Sequence, residues 1–400
     1  MKVRLGDVFE RQITGEWGNE CSENEPGAKV LRTTNFTSSG EIDFKNVVMR
    51  SINKSKVQSK RLHYGDIILE KSGGTEKTPV GRVVFCDESI ENDIYLCNNF
   101  TQTMRVNQVV GYPRYVFYFM WYLHYSGKTD LLQNKTTGIR NLQLKSYLNE
   151  EIPLPPLDEQ RRIAAVLDKV SDLIAKRRAQ LDKLDELVKA RFVEMFGSPV
   201  SNTLGWNQTK LSEVTSKIGS GATPKGGKES YHSEGVSLIR SMNIHDGLFL
   251  YKDLAHITDE QARQLDNVAV EDQDVFINIT GASVARSCIV PHEVLPARVN
   301  QHVAIIRCIQ SQMNPIFASN MFINDEFKKQ LLEIGESGGA TRQAITKQQL
   351  QDLNIILPPL ELQNKFATSV NETNQSKLTI QQSLDRLEIL KKALMQEYFG

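Results

Sequence analysis

Few residues of this 400-residue chain stand at spacings that could do chemistry. Gly127-Lys128-Thr129 has the tail of a phosphate-binding loop, in which glycines let backbone N–H groups approach a phosphate and a lysine meets its charge. Tyr122 stands where the first glycine of such a loop belongs. Gly219 and Gly221 open a G-x-G pattern that Pro224 ends. Glu326-Phe327-Lys328 has the acid and base of a metal-dependent nuclease, but it falls in NDEFKKQLLE, whose spacing predicts an amphipathic helix with a solvated face. Both Pro-Pro pairs follow leucine, so no Asn-Pro-Pro-aromatic motif of adenine methyltransferases is present. The seven histidines are scattered and carry no pattern pointing to nucleophilic or metal catalysis. Cys21, Cys86, Cys97, Cys288 and Cys308 form no CxxC pair, which fits reduced thiols in a cytoplasmic protein. The expectation is a binding protein with no metal site and no catalytic residues.

Charge does not name the ligand. Lys plus Arg and Asp plus Glu are 48 each. Residues 1–150 carry 20 basic against 17 acidic side chains, and residues 203–356 carry 14 against 17. Phosphate contacts favour a basic surface, so balance argues mildly against nucleic acid or for basic residues gathered on one face. The N-terminal MKVRLGDVFERQ has no apolar signal region. YPRYVFYFMWYLHY, residues 112–125, is the most apolar stretch. It falls short of the about 20 residues a bilayer span needs and reads as a buried helix.

The elements that must position any site are duplicated. Residues 154–197 and 357–400 align without a gap, from LPPLDEQ to MFG and from LPPLELQ to YFG. Identical pairs include Gln160/Gln363, Leu181/Leu384, Lys189/Lys392 and Phe196/Phe399. Upstream the match is weaker but continues: KVLRTTNF with SLIRSMNI, GDIILEKSGG with QDVFINITGA, Asn98 with Asn300, Pro113 with Pro315 and Arg140 with Arg342. One unit is used twice. Each globular part alternates strands (GDIILEK, VGRVVFC, TQTMRV; DVFINI, HVAIIRC) with Gly-rich turns, and a helix follows Pro113 and Pro315.

Each repeated segment reads as one long helix. The double prolines and Asp158, Glu159 and Glu361 mark the starts, and Gly197 and Gly400 the stops. Ile163, Leu167, Val170, Ile174, Leu181, Leu184, Val188 and Met195, then Phe366, Val370, Ile380, Leu384, Leu387, Leu394 and Tyr398, follow 3–4 spacing. Arg177, Thr373, Lys377 and Lys391 interrupt this seam and are candidate partner contacts. A helix of about 40 residues is a rod of roughly 60 Å. Antiparallel rods would hold the two globular parts far enough apart for half-sites one DNA turn, about 34 Å, from each other. On periodicity alone, a generic coiled-coil spacer explains the helices equally well.

The doubled LPPLDEQ…MFG and LPPLELQ…YFG, each behind a dissimilar α/β unit, resembles the specificity subunits of Type I restriction–modification systems. The resemblance covers essentially the whole chain, and GDIILEKSGG with VGRVVF, and TTGIRNLQLKSYL leading into IPLPPLDEQ, agree with it. Leu362 in place of an acidic residue, and GASVARS in place of a cleaner Gly-rich turn, depart from it. It implies mixed α/β (α+β) target recognition domains, two copies in pseudo-twofold arrangement, separated by two long antiparallel coiled-coil helices. The expected divisions are a first recognition domain at 1–153, a helix at 154–197, a second recognition domain at 198–356 and a helix at 357–400. The resemblance further implies double-stranded DNA, two methyltransferase subunits and two restriction subunits as partners, in the cytoplasm. S-adenosylmethionine, ATP and Mg would be used by those partners, and this chain would carry no active site of its own.

Base edges are read by bidentate Arg on guanine and Asn or Gln on adenine, with Ser, Thr and Lys in support. Loops presenting such residues beside Gly, Ser or Thr supply the candidates. In the first unit they are Arg32, Asn35, Lys71, Ser72, Thr75, Lys77, Thr136, Thr137 and Arg140. In the second they are Arg240, Asn243, Thr280, Ser283, Arg286, Thr341, Arg342 and Gln343. Some of these would touch only phosphate, which positions without specifying. The competing readings are a coiled-coil adaptor indifferent to DNA, and a nuclease or methyltransferase in one chain.

Overall fold

A computed structural model describes residues 1–21, 27–134, 138–224, 227–336 and 343–400. The chain divides into two compact units, Met1–Arg178 with Gln382–Gly400, and Ala179–Gln381. Each unit therefore contains a globular part, half of one long helix and half of the other.

In the first unit, β1 (Phe9–Thr14), β2 (Ile67–Glu70), β3 (Val83–Phe85) and β4 (Thr101–Val106) form an antiparallel sheet in the order β1-β4-β2-β3. A second sheet joins Val48–Arg50, Ala28–Leu31 and Tyr95–Cys97, the last pair parallel. Helix α1 (Pro113–Tyr125) packs its aromatic face on the first sheet. The second unit repeats this plan. There β5 (Thr215–Ser220), β6 (Val275–Asn278), β7 (Ser287–Ile289) and β8 (Val303–Cys308) run in the order β5-β8-β6-β7. Ala255–Ile257, Val236–Ile239 and Ala297–Val299 form the matching three-stranded sheet. The two long helices are α2 (Leu157–Phe196) and α5 (Leu360–Phe399), and α3 (Pro315–Ile323) and α4 (Asp325–Glu336) precede α5. Every strand and helix expected from the alternation and from Pro113 and Pro315 is present. Gly197 ends α2 in the left-handed region that suits glycine, at φ 68°.

Strand residues such as Ile67, Ile68 and Leu69 are all buried because both sheet faces are covered. Inside each sheet an ion pair is duplicated. Asp66, 1% exposed, meets Arg105 at 2.7 Å, and Asp274, fully buried, meets Arg307 at 2.8 Å. Gly15 and Gly221 end the first strand of each sheet so close to the carbonyls of Asn98 and Val299 that a Cβ would overlap them.

The interaction that ties each long helix to its globular part is a buried glutamine. Gln160 accepts from the Tyr112 N–H at 2.8 Å through Oε1 and donates from Nε2 to the carbonyls of Pro155 (2.8 Å) and Val110 (3.1 Å). Gln363 accepts from the Asn314 N–H at 2.9 Å and donates to the carbonyls of Pro358 (2.8 Å) and Gln312 (3.2 Å). Each amide satisfies three backbone groups where a proline-started helix meets the start of a long one.

The long-helix segments within a unit run antiparallel. In the first unit Arg178 pairs with Glu388 at 2.7 Å, while Phe399 lies against Tyr115 with ring centroids 5.2 Å apart. Ile163 and Leu167 join that unit's core, Val170, Ile174 and Leu384 are buried, and Leu387 and Leu394 are half-buried. In the second unit Lys377 pairs with Asp185, Phe366 and Val370 enter the core, and Leu181, Leu184, Val188 and Ile380 are half-buried. Leu167 and Phe366 of the expected seam are fully buried, and further deeply buried helix residues lie outside it. Phe192 and Phe196 stack among Phe317 and Phe366 in the second unit, and Met395 and Phe399 fill the first. Lys391, an interruption of the seam, lays its Nζ 4.6 Å from the centre of the Trp121 ring. Burial, reinforced by Arg114 and Arg178, pushes its ammonium down to about 8.

Two stability measurements test this frame. Gln160→Ala and Gln363→Ala should each lower the unfolding free energy by about 1–3 kcal/mol, because three backbone groups lose their partner. Gln→Glu should not rescue either, since a carboxylate cannot donate to the two carbonyls; unchanged denaturation midpoints would refute the clamp. Lys391→Met should stabilise the chain at neutral pH. The folded pKa lies below the unfolded one, so the penalty is complete below pH 8 and fades as pH rises from about 8 towards the ordinary lysine value of 10.5. The advantage of the variant should shrink across that window in thermal melts.

Candidate nucleic-acid interface

In the first unit the fold gathers five of the candidates at one edge. Ser72–Gly74 pairs with Arg140–Leu142, which pairs in turn with Gln133–Asn134. This places Lys71, Ser72, Thr75, Lys77 and Arg140 on a small three-stranded platform. Thr75 and Thr78 close the turn through a backbone hydrogen bond of 2.9 Å and a hydroxyl pair at 2.8 Å, leaving Lys77 exposed. Ser72 is tied to the Asn141 side chain at 2.5 Å. Lys71 is half-buried, and burial holds its ammonium below the usual lysine range. Thr136 and Thr137 lie outside the described residues.

Arg32 and Asn35 form a separate loop. Asn35 is 2% exposed, accepts from the Arg32 N–H at 2.9 Å and donates to the carbonyls of Asp43 (2.9 Å) and Lys45 (3.0 Å). Arg32 donates to the Asn46 carbonyl at 3.0 Å. The second unit repeats the loop. Asn243, fully buried, accepts from the Arg240 N–H at 3.1 Å and donates to the carbonyls of Leu250 (2.9 Å) and Lys252 (3.3 Å), while Arg240 donates to the Asp253 carbonyl. The amides of Asn35 and Asn243 are spent on their own loops, so these residues set loop shape rather than present donors outward. Nothing in the KVLRTTNF and SLIRSMNI repeats distinguishes a loop-holding asparagine from a base-reading one.

In the second unit Thr280, Ser283, Arg286 and Gln343 converge beyond the end of β6. Thr280 bridges to Ala344, and the Gly281 N–H donates to the Gln343 carbonyl at 3.0 Å. The Arg286 N–H donates to the Ser283 carbonyl at 3.2 Å. The Gln343 amide donates to Glu336 at 2.7 Å. Thr341 and Arg342 lie outside the described residues. Two histidines that sequence spacing did not single out belong to this cluster. His302 meets the Thr280 hydroxyl at 2.5 Å, and His245 stands 3.5 Å from the Arg286 guanidinium. The legible signal was position: His302 follows Asn300, the partner of Asn98 in the repeat.

The catalytic near-misses are structural. Thr129 is fully buried and meets His124 at 3.2 Å, and Lys128 covers the Tyr122 ring. Glu326 binds Ser198 while Lys328 binds Asp246, so the E-x-K residues serve different partners. No group of His, Cys, Asp and Glu suited to a metal ion occurs among the described residues. No helix among them is long and apolar enough to cross a membrane.

Comparison with known proteins agrees with the duplicated plan. A family profile described as Type I restriction modification DNA specificity domain matches residues 1–184 and 204–392. The chain is 22% identical over 409 residues to a putative type I restriction enzyme specificity subunit of Methanocaldococcus jannaschii, covering 98% of this chain and 90% of that one. It is 21% identical over 393 residues to the StySPI specificity subunit of Salmonella potsdam, covering 92% and 81%. The crystal structure of the S subunit from M. genitalium shares the fold with a TM-score of 0.57 at 13% identity, covering 100% of this chain and 96% of that one. A chain from a type I R-M structure concerned with complex assembly gives 0.54 at 18% identity, covering 100% and 97%. With both repeats matched separately and the same fold spanning the full length, the chain belongs to the Type I restriction–modification specificity subunits.

Proposed function

We propose that this chain is the DNA-reading subunit of a Type I complex, each unit recognising one half of a split, asymmetric target. The observation that carries this reading is one buried frame used twice beneath unlike loops. The Gln160/Gln363 clamps, the Asp66–Arg105 and Asp274–Arg307 pairs and the Asn35/Asn243 loops repeat in kind. The exposed candidates do not: Lys71, Ser72 and Thr75 in one unit stand against Thr280, Ser283 and Arg286 in the other. Two unlike readers on like scaffolds call for two unlike half-sites.

The long helices would set the distance between half-sites and dock two methyltransferase subunits. Exposed apolar side chains support this: Leu173, Ile389 and Leu390 in the first unit, Leu187 and Leu378 in the second. In the second unit a groove of about 380 Å³ between the helices is lined by Leu184, Leu187, Val188 and Thr373. The methyltransferase partners would bring S-adenosylmethionine, and two restriction subunits would bring ATP- and Mg-dependent translocation and cleavage. This chain contributes recognition rather than catalysis, and the complex works in the cytoplasm where the DNA is.

Single-molecule sequencing of DNA from cells expressing this chain with its cognate methyltransferase subunit should reveal methyladenine at a split, asymmetric motif, absent when the chain is omitted. No new methylation with both proteins stable would favour an adaptor that ignores DNA, and identical half-sites would refute the two-reader reading. In binding assays on the same complex, Lys77→Ala should weaken target and scrambled DNA alike and reduce the salt slope by about 1, as expected for one phosphate contact. A loss confined to the target sequence would instead make Lys77 a base reader.

A further inference from the structure

The two units secure their Arg–Asn loops by different means, and the difference releases one arginine. In the first unit Arg82, which precedes β3, donates from Nε and Nη2 to the two oxygens of Glu70 at 2.9 and 2.8 Å. Glu70 is 4% exposed. The same guanidinium reaches across to the Thr33 carbonyl at 3.2 Å and so straps the loop to the sheet. Arg82 is engaged by both Glu70 and the loop.

Strand register identifies the equivalents in the second unit. Leu69 faces Val83 in the first sheet, and Ile277 faces Ser287 in the second, so Arg286 stands where Arg82 stands and Asn278 where Glu70 stands. Asn278 is fully buried and uncharged, and its Nδ2 donates to the Ser241 carbonyl at 2.9 Å. Ser241 follows Arg240 as Thr33 follows Arg32. One short amide thus makes the strap that the Glu70–Arg82 pair makes in the first unit. Arg286 is left without that duty and without that carboxylate. Among the described residues its guanidinium meets only the His245 ring, at 3.5 Å, and Asp246 beside it is engaged by Lys328. Arg286 remains partly exposed, next to Thr280 and Ser283 on the turn beyond β6.

We propose that Arg286 is a DNA-contacting residue of the second unit, a role its counterpart Arg82 does not share. The inference rests on the DNA reading above and deepens it. A free guanidinium fork suits a pair of acceptors, either O6 and N7 of a guanine or two oxygens of a phosphate. A guanidinium kept at this turn with only the His245 ring against it among the described residues, and no carboxylate, is explained by an acceptor that arrives with the ligand.

The experiment compares Arg286→Gln and Arg82→Gln in the full chain assembled with its methyltransferase subunit. Arg286→Gln should leave the melting temperature within a degree or two of wild type and weaken target binding about tenfold or more. Arg82→Gln should lower the melting temperature by several degrees, since it strands buried Glu70. If the acceptor is guanine, the loss is confined to target DNA and methylation relaxes at one position of one half-site. If it is phosphate, target and scrambled DNA weaken alike, the salt slope falls by about 1, and Arg286→Lys restores most of the affinity. Affinity within twofold of wild type for Arg286→Gln, or a melting loss matching that of Arg82→Gln, would overturn the proposal while leaving the DNA reading intact. A wild-type complex that does not distinguish target from scrambled DNA would overturn both.

Discussion

A buried side-chain amide is costly wherever its oxygen finds no donor or its nitrogen no acceptor. Gln160 and Gln363 avoid that cost where three backbone groups converge. Two of the three are carbonyls, one from the double proline before a long helix and one from the segment leading to α1 or α3. The third is the N–H just ahead of Pro113 or Pro315. The geometry therefore fixes the direction in which α2 and α5 leave their globular parts. The sheets, the helix on each sheet and the loops beyond them are built on that junction.

The frame above the junction is electrostatic as well as apolar. Asp66 and Asp274 lie inside their sheets and are paired with Arg105 and Arg307, each of which also reaches a backbone carbonyl. Such pairs contribute little net stability against a hydrophobic alternative, but removing one partner strands a buried charge. They act as registers: the strand carrying the acid and the strand carrying the arginine can meet in only one alignment. The turn beyond β2 or β6 is placed by that alignment, which lets its side chains differ between units without disturbing the scaffold.

The long helices are built into the cores of the units. Phe192 and Phe196 complete the core around Phe317 and Phe366, and Met395 and Phe399 complete the core around Tyr115 and Phe119. Each helix thus finishes a unit other than the one whose globular part it follows. Other apolar helix residues, such as Leu187 and Ile389, stay outside these cores and exposed.

Much of this was legible in the sequence because it follows from periodicity and local punctuation. Short apolar runs between Gly-rich turns specified the strands, Pro113 and Pro315 the helix starts, the gapless 44-residue match the two long helices, and the twofold order of these elements the family. These signals are local: a run of apolar residues and a proline's missing N–H act wherever the chain goes. What only tertiary structure decided is which side chains remain free. Asn35, Asn243 and Arg286 look alike as loop residues with base-reading chemistry, but the first two turn inward to backbone carbonyls up to ten residues away in sequence. Arg286 owes its freedom to an asparagine on the neighbouring strand and a carbonyl 37 residues from that asparagine. Hydrogen-bond satisfaction is a property of what surrounds a group in space, and sequence spacing does not carry it.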